Sequence, residues 1–144
     1  MRGKILTSLS LVIFIADRLL KLQVQNFPAG KVFSFLPGIT FGHFPNPALF
    51  FFPAWRWLPW VALLVLTSLL IFIVRHWFFK SLSPNPYPLI PIALGGASNV
   101  FDRFAYGAVI DYVNIWGFAT INLADILIFT GLIFICLRSY DQRR

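Results

Sequence analysis

Apolar residues gather along this chain in four long runs. They lie roughly at residues 5–22 (ILTSLSLVIFIADRLLKL), 57–74 (WLPWVALLVLTSLLIFIV), 87–104 (YPLIPIALGGASNVFDRF) and 121–137 (INLADILIFTGLIFICL). Each approaches the ~20 residues a helix needs to cross the hydrocarbon core of a bilayer. The pattern predicts four transmembrane helices. The third run is the least hydrophobic, and its Gly95-Gly96-Ala97-Ser98 would let a neighbouring helix approach closely.

The stretches between the runs differ in texture. Residues 23–56 contain KVFSFLPGITFGHF, two short β-like runs around the turn pair Pro37-Gly38. They predict a small hairpin or sheet on the outer membrane surface. The aromatic segment NPALFFFPAWRWLPW follows, and its Trp55, Trp57 and Trp60 suit the interfacial belt. HWFFKSLSPNP (76–86) reads as a cytoplasmic loop, and 105–120 as a short external connection. No internal repeat is visible. The expected architecture is one membrane-embedded domain over 1–144. It is an all-α integral membrane protein of four transmembrane helices with a small extracytoplasmic β-hairpin or sheet segment between helices 1 and 2.

Composition strengthens the membrane reading. The chain is 58% hydrophobic and 12% charged, against about 25% charged in an ordinary soluble domain. The net charge of +7 does not point to nucleic acid. The basic residues sit mainly beside apolar runs, where they meet headgroups and set topology, and not on one stripe. Arg2 and Lys4, then Arg75, His76 and Lys80, then Arg138, Arg143 and Arg144 fall on one side if both termini are cytoplasmic. Lys31, Arg56 and Arg103 fall outside and weaken the asymmetry without reversing it. Arg2 and Lys4 could begin a signal peptide, but Ala16 follows the bulky Phe14 at −2, so the first run is expected to stay as an uncleaved span. Cys136 is alone and reads as inert packing.

The acidic inventory changes the picture most. There is no Glu, and the five acids are Asp17, Asp102, Asp111, Asp125 and Asp141. On the predicted topology, all but Asp141 share one depth near the outer hydrocarbon boundary. A carboxylate in apolar surroundings is costly, so clustering needs a reason. Two nearby carboxylates tend to share a proton, one acting as base and the other as acid. Such a pair can activate water and protonate a departing amine. Other schemes fit less well. His43 and His76 fall on opposite sides of the predicted membrane, which leaves no HExxH motif and no His-rich zinc site. No glycine-rich phosphate loop is present. No metal and no organic cofactor is expected. Two rivals remain at this point. One is a small membrane transporter or proton carrier, which also uses intramembrane aspartates. The other is a non-enzymatic subunit whose charges dock a partner. Asp125, just after Asn122, could also serve only to satisfy a helix N-terminus.

The motifs then narrow the choice. GGASNVFDR (95–103), VIDY (109–112) and INLAD (121–125), together with DRLLK (17–21) and NPALF (46–50), resemble the signature of the lipoprotein signal peptidase (signal peptidase II) family. That pattern reads GGAxGNxxDR, VxDF and FNxAD, with DQxTK on the first helix and NxGAAF in the outer segment. The likeness covers nearly the whole chain. Here there is a one-residue contraction before Asn99, Pro47 stands for the glycine after Asn46, Tyr112 for Phe, and Ile121 for Phe.

The resemblance implies an intramembrane aspartyl endopeptidase whose dyad is Asp111 and Asp125. Its substrate is the diacylglyceryl-modified prolipoprotein, and it implies sensitivity to globomycin-type inhibitors. The expected setting is a bacterial cell membrane, with membrane lipids as neighbours, the site near the outer leaflet boundary, and a monomeric protein. Asn99 and Asn122 are expected to bond the aspartates or the substrate backbone, and Asn46 to contact substrate or sit in a turn. The adjacent Asp102 and Arg103 are expected to pin nearby loops through charge-assisted bonds, and Asp17 to pair with Arg18 or Lys21.

Overall fold

A computed structural model describes residues 2–28, 30–47, 57–79 and 86–141 of the chain. It holds four helices, α1 (Arg2–Gln25), α2 (Leu58–Phe79), α3 (Leu89–Tyr106) and α4 (Leu123–Asp141). Four strands accompany them, β1 (Val32–Leu36), β2 (Ile39–Asn46), β3 (Val109–Ile115) and β4 (Ala119–Ile121). Each helix covers one of the apolar runs. Local chemistry sets the ends. Pro88 precedes α3, where a missing N–H costs nothing. Gly107 closes α3 at φ 77°, a left-handed cap that favours glycine, with its N–H bonded to the Arg103 carbonyl. Trp55, Arg56, Lys80, Arg143, Arg144, residues 48–50 and most of the 76–86 loop lie outside the described residues.

α3 is the organising helix and packs against the other three. Leu66 and Ile73 of α2 meet Ala93 and Val100 of α3 in one apolar cluster. Against α4 the contact is backbone-close. A Cβ at Gly95 would run into the Ala124 carbonyl, and one at Gly131 would meet the Pro88 carbonyl at 2.7 Å. Small residues therefore set this distance, as the Gly95-Gly96 pair suggested. On the outside, the helices present apolar side chains: Leu9, Val12 and Leu19 on α1, Leu64 and Val65 on α2, Phe101 on α3, and Phe129 and Leu137 on α4. The buried groups include Asp17, Lys21, Asp102 and Asp111. Polar inside and apolar outside is the reverse of a soluble domain. Among the described residues, one helical segment, Leu58–His76 with mean hydropathy 2.2, is by itself long and apolar enough to cross a membrane.

The sheet differs from expectation. It is antiparallel, in the order β1-β2-β3-β4. The β1–β2 hairpin turns at Pro37-Gly38, as the sequence predicts, with Gly38 at φ 79°. The sheet is not confined to the segment between the first two helices, however. The connection read as a loop supplies β3 and β4, joined by a tight turn in which Trp116 (φ 48°) and Gly117 (φ 72°) are both left-handed. Phe118 N–H closes that turn on the Ile115 carbonyl. The reason is burial. Val109, Ile110, Asp111 and Tyr112 are all buried, so the strand shows no alternation to reveal it. β3 pairs along β2 with Phe44 opposite Asp111 and Asn46 opposite Val109. Ile110 and Tyr112 pack with Val24 of α1 into a second apolar cluster beneath the sheet.

Candidate active site

The end of the bundle under the sheet collects the C-terminal parts of α1 and α3 and the N-terminus of α4. A helix N-terminus leaves backbone N–H groups without intrahelical partners. In α4 side chains take them. Leu123 N–H donates to Tyr112 Oη at 2.8 Å, Ala124 N–H to Asp17 Oδ1 at 3.2 Å, and Asp125 N–H to Asn122 Oδ1 at 2.9 Å. Asp125 Oδ2 in turn accepts from Asn122 N–H at 3.2 Å. This reciprocal pair is a capping box with Asn and Asp in the two roles. It fixes Asp125 on the first turn, where a negative charge also suits the helix dipole.

Asp111 reaches the same place from β3. It is buried, and its carboxylate accepts three hydrogen bonds. Asn122 Nδ2 donates to Oδ1 at 2.7 Å, while Asn46 Nδ2 and Thr120 Oγ1 donate to Oδ2 at 2.9 and 2.7 Å. The Asn46 bond follows from the β2–β3 register. Asp125 is partly exposed, and its Oδ1 accepts from Asn99 Nδ2 at 2.8 Å. Asn122 therefore touches both carboxylates, one through its capping contacts and one through its amide nitrogen. Asn122 Nδ2 also lies 3.3 Å from Asn99 Oδ1, which ties the two amides together.

A second cluster lies beside the first. Asp17, Lys21 and Asp102 are wholly buried. Lys21 Nζ is 3.1 Å from Asp17 Oδ2 and 2.8 Å from Asp102 Oδ2, and Arg18 donates to Asp102 Oδ1 at 2.6 Å. Ser98 Oγ donates to Asp17 Oδ2 at 2.5 Å, and Tyr112 Oη to Asp17 Oδ1 at 3.0 Å. Burial, then the charge of Asp17, pushes the Tyr112 hydroxyl well above its ordinary range, so it remains a donor. Asp102 also accepts from Ile110 N–H at 3.2 Å, which pins the start of β3.

Thus Asn46, Asn99, Asp111, Asn122 and Asp125 come together in one network, and Asp17 and Asp102 in the adjoining one. The adjacent Asp102 and Arg103 diverge, because neighbouring helical side chains point apart. Asp102 turns to cations of α1. Arg103 donates to the Asn99 carbonyl at 3.3 Å, and its charge acts on Asp125, Asp111 and Asp102. Asp17 pairs with Lys21. His43 lies on β2 and His76 near the far end of α2. Sequence reasoning missed Thr120 and the central place of Lys21. Thr120 stands two residues before Asn122 at the end of a strand, a spacing that puts both on one face. That signal was available.

Known proteins resemble this chain along most of its length. The family model described as signal peptidase (SPase) II matches residues 9–140. A lipoprotein signal peptidase of Blochmanniella pennsylvanica is 33% identical, with 92% of this chain and 86% of the relative covered. One from Salmonella typhi is 34% identical, covering 83% of this chain and 77% of the relative. Among solved structures, a bacterial membrane enzyme determined by the in meso method at 2.3 Å resolution superposes with a TM-score of 0.78 at 18% identity. It spans 99% of this chain and 89% of that one. A second, at 1.9 Å resolution, gives a TM-score of 0.72, again at 18% identity, over 95% of this chain and 91% of the other. By the match along almost its whole length, this chain is a membrane protein of the signal peptidase II family of proteases.

Proposed function

We propose that the protein is an intramembrane aspartyl endopeptidase that removes the signal peptide from diacylglyceryl-modified prolipoproteins, with Asp111 and Asp125 as its catalytic pair. The observation that carries this is that Asn122 joins both carboxylates at once, its side-chain amide donating to Asp111 and its backbone N–H to Asp125. The relatives named above are lipoprotein signal peptidases, which supports the substrate class. All four helices cross the bilayer, both termini are cytoplasmic, and the sheet lies at the outer leaflet. The apolar exterior of every helix supports this placement.

In the mechanism, the substrate enters sideways from the bilayer and its lipid chains stay among the apolar faces of the helices. The scissile peptide lies between the two aspartates. One carboxylate, ionised, takes a proton from water as that water attacks the carbonyl carbon. The other, protonated, holds the developing oxyanion through a hydrogen bond and, as the C–N bond breaks, passes that proton to the departing amine, so that the two carboxyl groups end with their protonation states exchanged. Asp125 is the more exposed of the two and gives water its approach. Asn46, the last residue of β2 and bonded to Asp111, is placed to bond substrate backbone. The gathering of the acids at one end of the bundle favours this reading over a carrier, which needs a path to the other side.

The test is cleavage of a lipid-modified prolipoprotein by purified protein in detergent. Wild type cuts it, and Asp111→Asn and Asp125→Asn each lower kcat by about 1,000-fold or more, as loss of an acid–base group does. Cleavage by both variants at near wild-type rates overturns the pair. Absence of cleavage by folded wild type overturns the substrate class.

A further inference from the structure

An asparagine amide is nearly the same shape either way round, yet its two ends have opposite hydrogen-bonding character. Asn99 and Asn122 both face carboxylates. Turned wrongly, each would set an oxygen against an oxygen and repel the group it should hold. Something must fix their sense.

For Asn122 the Asp125 backbone N–H does so, because it can only donate and lies 2.9 Å from Oδ1. For Asn99 the group is Lys21. We propose that Lys21 is a positioning residue for the Asp111–Asp125 pair: its ammonium holds the Asn99 oxygen, so that the Asn99 and Asn122 amides both aim N–H groups at the two carboxylates. The inference rests on the catalytic reading of that pair.

An ammonium has three N–H donors and no acceptor. Lys21 Nζ lies 2.9 Å from Asn99 Oδ1. Two of its protons serve Asp17 and Asp102, at 3.1 and 2.8 Å. Ser98 Oγ, whose own proton goes to Asp17, also accepts from Nζ, but at 3.2 Å against 2.9 Å for Asn99, and it has a second donor in Arg18 Nη1 at 3.2 Å. The third proton is therefore directed to Asn99. That turns Asn99 Nδ2 to Asp125 Oδ1 at 2.8 Å, and leaves Asn99 Oδ1 to accept from Asn122 Nδ2 at 3.3 Å. The ammonium cannot move away. Lys21 has no exposed surface, and both its carboxylate partners are themselves fixed, Asp17 by Ala124 N–H and Tyr112 Oη, Asp102 by Arg18 and Ile110 N–H. A lysine needed only to neutralise two acids has no call for the contact with Asn99.

Lys21→Met alone strands two buried carboxylates and can fail to fold, so the deciding variant is Lys21→Met with Asp17→Asn. This removes Lys21 together with one of its two carboxylate partners and leaves Asp102 paired with Arg18. It is compared with Asp17→Asn, which keeps Lys21 on Asn99. Both are purified in detergent, checked for matching thermal unfolding, and assayed for prolipoprotein cleavage. The expected result is a kcat between about 10- and 100-fold lower in the double variant, the size of loss that misplacement of a reacting group brings. KM should be equal within about twofold, since substrate binding is untouched. In an Asn99→Ala background the same pair of variants should differ by less than about twofold, because the amide that Lys21 orients is gone. Equal kcat in the first comparison overturns the inference, as does an undiminished difference in the Asn99→Ala background, which marks a purely structural lysine. Asp125→Asn, run alongside, separates the two ideas. If it still cleaves, the catalytic reading fails. If it is inactive while the two Lys21 variants do not differ, the positioning role alone fails.

Discussion

Two pairs of aspartates sit side by side in this bundle and are held in different ways. Asp17 and Asp102 are tied to Lys21 and Arg18, two acids against two cations, with no exposed carboxylate surface. Asp111 and Asp125 take their hydrogen bonds from neutral donors: the amides of Asn46, Asn99 and Asn122, the Thr120 hydroxyl and one backbone N–H. Arg103 and Lys21 act on this second pair electrostatically. The difference teaches which pair can do chemistry. A carboxylate locked to a buried cation is committed to it, because losing either partner strands the other. A carboxylate held by neutral amides is kept in place without being committed to a cation. The first pair is a clamp joining α1, α3 and α4, and the second is the pair proposed to react.

The largest effects should break that contrast cleanly if it is false. Asp111→Asn and Asp125→Asn are expected to cost about 1,000-fold or more in kcat while changing stability by only about 1 kcal/mol, since a lost acceptor is offset by relief of like-charge repulsion. Thermal unfolding in detergent beside a cleavage assay reads both. Lys21→Met should do the opposite in stability. Leaving Asp17 and Asp102 under-compensated in the interior costs about 3–5 kcal/mol, seen as a large drop in the unfolding midpoint. Adding Asp17→Asn should recover much of it. If Asp111→Asn destabilises as much as Lys21→Met, the two regions are one structural unit and the contrast fails.

How much of this was legible beforehand depends on the range of the interaction. The four helices were readable because each lies along a long apolar run, and the β1–β2 hairpin because Pro37-Gly38 is a turn signal that needs no tertiary context. β3 was hidden because residues 109–112 are buried together and carry no period of two. Within the site, the aspartates and asparagines stood out as polar groups in apolar surroundings. Their pairing did not. Arg18 and Asp102 are 84 positions apart, and nothing local in ADRLLK says that Lys21 faces α3 with all its length buried. Adjacency misled for Asp102 and Arg103, since on a helix the next residue points elsewhere.

Tyr112 links the two regions and sharpens the comparison at intermediate size. Its hydroxyl donates to Asp17 and accepts from Leu123 N–H. Tyr112→Phe leaves both partners short of a bond, at a cost of about 1–3 kcal/mol. The effect has a pH signature. Burial and the charge of Asp17 raise the folded-state value above the ordinary one, near 10 in an unfolded chain. Above about pH 10 the unfolded state therefore holds fewer protons than the folded state, and stability falls as pH rises. Below that, the tyrosine contributes its full stability. Unfolding midpoints measured from pH 8 to 11 should show this alkaline fall weakened in Tyr112→Phe.

The smallest effect is the most discriminating, because it touches one hydrogen bond and no charge. Thr120 Oγ1 donates to Asp111 Oδ2 at 2.7 Å. Thr120→Val keeps the shape and removes the donor, leaving Asn46 and Asn122 to hold the carboxylate. If neutral donors tune Asp111 as well as seat it, kcat should fall about 3- to 10-fold, a loss of roughly 1 kcal/mol, the net worth of such a bond. Thr120→Ser, which retains the hydroxyl, should return most of the activity. Stability should change by less than about 1 kcal/mol, since β4 and its pairing with β3 are untouched. The ratio of the two effects is the point. A bond to an acid that reacts shows in the rate before it shows in the unfolding midpoint, whereas a bond to an acid that clamps shows in the midpoint alone. A Thr120→Val protein that is less stable but turns over at the wild-type rate would move Asp111 into the company of Asp17 and Asp102.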